Sequence, residues 1–131
     1  PEVVMSEVQP IQPASMPLPQ GHYSLGLVAG GFVFVSGQLP SDPATGQMVP
    51  GGIEAQTERA LRNVELILHA AGSSLDRVAS MTIYISDGDL WGAVNGVYAR
   101  VMGNHRPARA VVPVKDLHYG ALIEIQAIAL A

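Results

Sequence analysis

Between residues 53 and 71, apolar side chains recur at intervals of three and four: Ala60, Leu61, Val64, Ile67, Leu68 and Ala71. That period leaves one apolar stripe and predicts an amphipathic helix over Ile53 to Ala71. Glu54 falls in its first turn, where a negative charge complements the macrodipole. Gly72 is placed to end it in the left-handed conformation. From Val78 to Ser86 the period changes to two. Ala79, Met81, Ile83 and Ile85 share one face, and Ser80, Thr82, Tyr84 and Ser86 the other. This predicts a strand with one face against helices and one more polar face. A second helix follows from Leu90 to Met102, capped by Asp87 or Asp89, with Leu90, Val94, Val97, Tyr98 and Val101 inward. Gly88, Gly92 and Gly96 recur every fourth residue and predict close packing of that helix face.

Shorter signals surround these elements. His22 to Val28 and Phe32 to Ser36 read as strands joined by the tight turn Ala29-Gly30-Gly31. Gly37 permits close approach of the backbone to another segment or a ligand. Pro10, Pro13, Pro17 and Pro19 prevent a helix near the start. They predict an extended arm over residues 1–18, from which Val3 and Val4, or Met16 and Leu18, could dock as an edge strand. Residues 19–131 then form a single domain. Near the other end, His105 to Val114 and Ala121 to Ala129 are short, β-branched and apolar, and read as a hairpin. Pairing Val114 with Ala121 sets Arg109 opposite Gln126 and diagonal to Glu124 on one face. Two readings of that pair stand on spacing alone. It is an ordinary buried ion pair, or the two charges meet a partner surface or a ligand.

The order is strand, strand, helix, strand, helix, strand, strand (ββαβαββ). It predicts an α+β domain with one mixed sheet and both helices on one face. The opposite face is then bare, carrying Val111, Pro113, Leu122, Ile128 and Leu130 beside Arg109 and Glu124.

Composition sharpens that expectation. Hydrophobic residues make up 48% of the 131 and charged residues 14%, against about 25% charged in an ordinary soluble chain. So little charge predicts surfaces buried between subunits. The net charge is −4 and no basic run occurs, so nucleic acid is not an expected partner. Cysteine is absent, which excludes thiol nucleophiles and thiolate metal sites. The longest uncharged apolar run, Leu25 to Val35, is too short and glycine-broken to span a bilayer. No signal peptide is visible, and a cytoplasmic protein is the expectation. No phosphate-binding, nucleophile-elbow or zinc-protease motif is present. His22, His69, His105 and His118 have no metal-ligand spacing, so neither metal nor cofactor is expected. His118 sits beside Tyr119 in a turn, as a rim residue or simply solvated. The reactive material left is Arg109, Glu124, Tyr23 and the segment Ser36-Gly37-Gln38.

Six pieces carry a resemblance. They are Gly21-His22-Tyr23, Val35-Ser36-Gly37-Gln38-Leu39-Pro40, Gln56, Val94-Asn95-Gly96-Val97-Tyr98, Pro107-Ala108-Arg109 and Ile123-Glu124-Ile125-Gln126-Ala127-Ile128-Ala129. In this order and spacing the chain resembles the reactive intermediate deaminase family, RidA/YjgF, from about Pro17 onward. The resemblance implies a chorismate-mutase-like fold, a homotrimer, and clefts between subunits that hydrolyse small 2-imino acids to 2-oxo acids and ammonia. It implies that Arg109 holds the substrate carboxylate and that Glu124 handles water and protons. Tyr23, Gly37, Val111 and Asn95 would line the pocket. The chain departs from the family pattern at Val111, where a cysteine is common, at His22, where proline is common, and at Gln126, in place of a second carboxylate. A non-catalytic carboxylate binder on the same scaffold is the alternative function. A ribonuclease or translation inhibitor fits the acidic charge less well.

Overall fold

The strand Ile123–Leu130 organises the sheet. In the computed structural model, which describes residues 7–131, Ile123, Ile125, Ala127 and Ala129 are all buried. A strand with one face so completely apolar belongs in a sheet interior. The strands are β1 (Gln9–Ile11), β2 (Gly26–Ala29), β3 (Phe32–Gln38), β4 (Val78–Ile85), β5 (Ala108–Pro113) and β6 (Ile123–Leu130). Their spatial order is β1-β2-β3-β6-β4-β5. Every neighbouring pair is antiparallel except β4 and β5, which run parallel. The helices α1 (Gly52–Ala70) and α2 (Trp91–Met102) cover one face. The result is an α+β fold with a mixed sheet. Helix α1 sets Leu61, Val64, Ile67 and Leu68 against Val33, Met81, Ile83 and Ile125, all fully buried. Each such side chain contributes about 1.5–3 kcal/mol relative to exposure.

The expected hairpin between the last two strands does not form. β5 pairs with β4 through the α2 crossover, and β6 lies between β3 and β4. Two apolar β-branched runs flanking a turn satisfy the hairpin pattern whether or not they pair with each other. Burial decides the matter: β6 needs two neighbours, whereas β5 ends in Pro113 and suits an edge. The register changes with the pairing. Arg109 aligns with Met81 rather than Gln126, and Glu124 aligns with Tyr84.

The bare face is therefore different from the one predicted. Ile128 and Leu130 lie on it with Glu124, but Val111 and Pro113 share the helix-covered face with Arg109. Phe32 aligns with Leu130 and Phe34 with Ile128, so two exposed phenylalanines complete the apolar patch. Thr82, Gln126 and Tyr84 make its polar border, where the Tyr84 hydroxyl donates to Gln126 Oε1 at 3.1 Å.

Local expectations also change. A Cβ at Gly92 or Gly96 would meet nothing within 4 Å, so that helix face is open rather than closely packed within the chain. The edge strand of the arm is Gln9–Ile11, not Met16 to Leu18; Val3 and Val4 lie outside the described residues. Part of the predicted arm thus belongs to the sheet. The expected cap is displaced: Asp87 accepts the Asp89 N–H at 2.8 Å and caps the short turn Gly88–Leu90, while α2 itself begins at Trp91 without a side-chain cap.

Candidate active site

Glu124 sits in β6 opposite a break in β3. The β3–β6 register shifts between Val35 and Gln38, leaving a bulge at Ser36-Gly37. Ser36 Oγ donates to the Ser24 carbonyl at 2.7 Å, and the buried Gln38 donates through Nε2 to the Ser36 carbonyl at 3.2 Å. The bulge turns Gly37 onto the Glu124 side chain. A Cβ there would collide with Oε2 and stand 3.0 Å from the carboxyl carbon. A larger residue there would have to push the carboxylate out of this position. Burial pushes the half-buried Glu124 carboxyl above its ordinary range, opposed by the charge of His118. Burial shifts the carboxyl in the direction in which a general acid–base is tuned.

Two amides brace this corner. Asn63 is fully buried in α1, and its Nδ2 donates to the carbonyls of Leu39 at 3.1 Å and Ser41 at 2.8 Å. Gln56 Oε1 accepts the Leu122 N–H at 2.9 Å, fixing the approach to β6. The sequence reading passed over Asn63. Its signal was an amide three residues from Ala60, on the side of α1 that the apolar stripe buries.

Arg109 has a separate setting. Its Nη1 donates to Asn95 Oδ1 of α2 at 3.0 Å. Its guanidinium carbon lies 4.7 Å from the Tyr98 ring centroid and 5.7 Å from that of Trp91. The planar cation stacks where a carboxylate would otherwise be sought. Among the described residues no carboxylate lies within 4 Å of it. The Tyr98 hydroxyl is buried without a partner, and burial raises its pKa against the pull of Arg109. Val111 follows on the same face, packed against the core. Trp91 was not singled out from the sequence; an aromatic at the first position of a helix carries no signal of its own.

Arg109 and Glu124 therefore occupy opposite faces of the sheet. Their positions are two strands apart and three residues offset along the register, or roughly 14 Å between backbones. A buried ion pair within one chain is excluded.

At Gly37 opens a cleft of about 970 Å³, lined by Tyr23, Leu25, Gly37, His118 and Tyr119 together with residues 16–21 and parts of the segment 38–48. Arg109, Asn95, Val111 and Glu124 do not line it; Gly37, which does, is the residue that the Glu124 carboxylate approaches. No group of three or more His, Asp or Glu side chains is placed to hold a metal among the described residues. Nor is any of their helices long and apolar enough to cross a membrane.

Residues 13–131 match the family model described as Endoribonuclease L-PSP. The chain belongs to the RidA/YjgF family. A RutC family protein of Pyrococcus horikoshii is 46% identical over 113 residues, covering 86% of this chain and 90% of its own. The goat 2-iminobutanoate/2-iminopropanoate deaminase is 39% identical over 120 residues, covering 92% and 88%. The structure of Escherichia coli TdcF with bound serine superposes with a TM-score of 0.88 at 34% identity, covering 94% of this chain and 98% of that one. The TdcF structure shares the α+β sheet and helices described above.

Proposed function

We propose that this protein is a homotrimeric deaminase that hydrolyses reactive 2-imino acids and their enamine tautomers to 2-oxo acids and ammonia. The observation that carries this reading is the separation of Arg109 from Glu124. Each sits in a prepared setting, yet one chain cannot bring both to the same small molecule. A neighbouring copy that lays its β5–α2 edge over Glu124 and Gly37 would. The apolar patch of Phe32, Phe34 and Leu130 and the low charge supply a reason for copies to associate. The goat relative is named for this activity, and TdcF holds an amino acid.

In the proposed site, Arg109 of one subunit takes the substrate carboxylate through its planar fork. Trp91, Tyr98 and Asn95 hold that fork in place. The enamine tautomerises to the imine, whose C2 is electrophilic. Glu124 of the neighbour accepts a proton from water as the oxygen bonds to C2 and passes it to the imine nitrogen, giving the carbinolamine. Glu124 then carries the hydroxyl proton to the amino nitrogen as the C–N bond breaks. Ammonia leaves and the 2-oxo acid remains. Placement and charge neutralisation supply the acceleration, since water is the only co-reactant.

Two measurements test this. Ammonia release from enzymatically generated 2-aminoacrylate should accelerate when the protein is added; no acceleration overturns the deaminase reading in favour of a carboxylate-binding protein. Arg109→Ala and Glu124→Gln should each be inactive alone. Unfolded together and refolded, they should recover about a quarter of wild-type activity, the share of interfaces pairing intact Arg109 with intact Glu124. No recovery from a correctly refolded trimer overturns the shared site.

A further inference from the structure

The chain enters β6 through a short turn, His118–Gly120, whose first two residues the proposed chemistry does not use. Tyr119 is the only non-glycine among the described residues with positive φ, at 57°. The left-handed conformation strains a tyrosine, and strain of this kind gathers at functional sites. It sets the Tyr119 ring against that of His118, with centroids 3.9 Å apart and planes tilted by 53°. The far end of the turn is tied down. The His118 carbonyl accepts the Ala121 N–H at 3.1 Å, Leu122 donates to Gln56 Oε1, and the Leu122 carbonyl accepts the Ser86 N–H at 3.0 Å. The turn is thus anchored to α1 and to the end of β4, just ahead of Glu124.

Imidazole and carboxylate converge on Gly37. His118 lines the cleft that opens there, and the Glu124 side chain occupies the space beside that glycine. No ion pair within 4 Å joins them, so His118 acts across the cleft as a charge rather than as a hydrogen-bond partner. The other groups around the carboxylate bring no competing cation. β3 contributes Ser36, Gly37 and Gln38, none of which titrates. Tyr84 of β4 aligns with Glu124 and donates its hydroxyl to Gln126. Tyr23 stands in the cleft wall, with His22 before it. Lys115 and Asp116, of opposite charge, precede the turn. Among these, His118 alone opposes by its charge the burial that disfavours ionised Glu124. Arg109 of a neighbouring copy would add a permanent charge, the same in every variant considered below.

We infer that His118 is a positioning residue for the acid–base step, an imidazolium held across the Gly37 cleft that keeps the Glu124 carboxylate ionised. This rests on the deaminase reading only for the reaction that Glu124 serves; the charge acts whether or not an imine is bound. As pH falls, imidazoles as a class take up a proton before carboxyls do, at about 6.5 against about 4.3 in peptides. The cation therefore arrives ahead of the proton that would fill the base. Burial alone would leave Glu124 protonated early on acidification, and His118 extends its working range downward.

Two variants separate charge from ring. His118→Phe keeps an aromatic partner for Tyr119 and loses the charge; His118→Lys keeps a charge and loses the ring. The side chain is exposed, so both should melt close to wild type. Carbon-13 NMR of the glutamate carboxyl groups follows ionisation of Glu124 without any substrate, its signal assigned by its absence in Glu124→Gln. The midpoint should rise in His118→Phe and return towards wild type in His118→Lys. The acid limb of kcat/KM for imine hydrolysis should move the same way. His118→Phe should then be about threefold slower than wild type on that limb, and level with it at about pH 8. If neither variant moves the carboxyl midpoint, the inference falls, and the deaminase reading stands on its ammonia assay. If both raise it alike, the ring rather than the charge supports Glu124, and the inference falls too. If the midpoint moves as expected while wild type hydrolyses no imine, the deaminase reading falls and the charge role of His118 stands.

Discussion

Arg109 and Glu124 are both charges set in apolar strands, and the sheet accommodates them by opposite means. Arg109 is surrounded by added groups: Asn95 accepts its hydrogen bond, and Tyr98 and Trp91 stack beside it. Glu124 is accommodated by a subtraction, since Gly37 removes the side chain that would occupy its place. The cation is held between an amide and two aromatic rings. The carboxylate is held in a half-buried notch that disfavours its charge. One setting suits a permanent anchor for a carboxylate and the other suits an exchange of protons.

The difference can be broken from either side. The largest effect is expected from Glu124→Gln, which keeps shape but removes the proton acceptor. Imine hydrolysis should fall by about a hundredfold or more, while calorimetric binding of a 2-oxo acid stays within a few-fold. Parallel loss of both would assign Glu124 to binding alone. Next is Gly37→Ala. The added methyl meets the Glu124 carboxylate and should cost about 1–3 kcal/mol in urea unfolding. In a Glu124→Ala background most of that cost should vanish, because the colliding group is gone. An equal cost in both backgrounds would mean that the bulge itself, rather than Glu124, needs glycine.

Arg109→Lys keeps the charge but loses the fork and the planar stack. Binding of 2-oxo acids should weaken about tenfold, with melting temperature little changed because no buried carboxylate is stranded. A large loss of stability would contradict the stacked setting. The smallest effect concerns pH. The folded-state pKa of Glu124 lies above its unfolded value, so the native state binds that proton more tightly. Stability from this group is present below the unfolded value and is lost as pH rises through the folded one. Glu124→Gln should therefore melt slightly higher than wild type at neutral pH. The gain should fade on acidification through the carboxylate range. A variant that melts lower at neutral pH would indicate that the charged form is stabilised instead.

The helices and β4 were legible because each carries a sustained period over many residues. Most side chains that the period placed inward, such as Leu61, Val64 and Ile83, are fully buried. Pairing was less legible. The pattern of β5 and β6 says that both are strands, but not which neighbours they take. Only burial of every second β6 residue distinguishes an interior strand from a hairpin partner. Arg109 and Glu124 stood out as charges in apolar runs. Their assignment to one face followed from the wrong partner, since a changed pairing resets which side chains meet. Gly37 was legible as a close-approach position, though not what approached. Asn63 and Trp91 were missed because their roles lie in contacts distant along the chain. Glycine spacing in α2 misled, because the same repeat suits a packed face and an open one.

The place of β6 also bears on the order in which the chain can fold. It follows both its neighbours in sequence yet stands between them in space. Until residues 123–130 are present, β1–β3 and β4–β5 are two ribbons with raw inner edges. Their α1 and α2 partners can dock, but the sheet cannot close. Closing it brings together segments far apart along the chain, a topology that slows folding and prolongs exposure of those edges. Once inserted, the strand is pinned at its far end: Ser73 Oγ donates to the Leu130 carbonyl at 2.5 Å, and Arg77 donates to the Ala131 carbonyl at 2.8 Å. The same insertion brings Glu124 against Gly37. Proton-transfer capacity should therefore appear only in the final folding step, with no partly folded species carrying it.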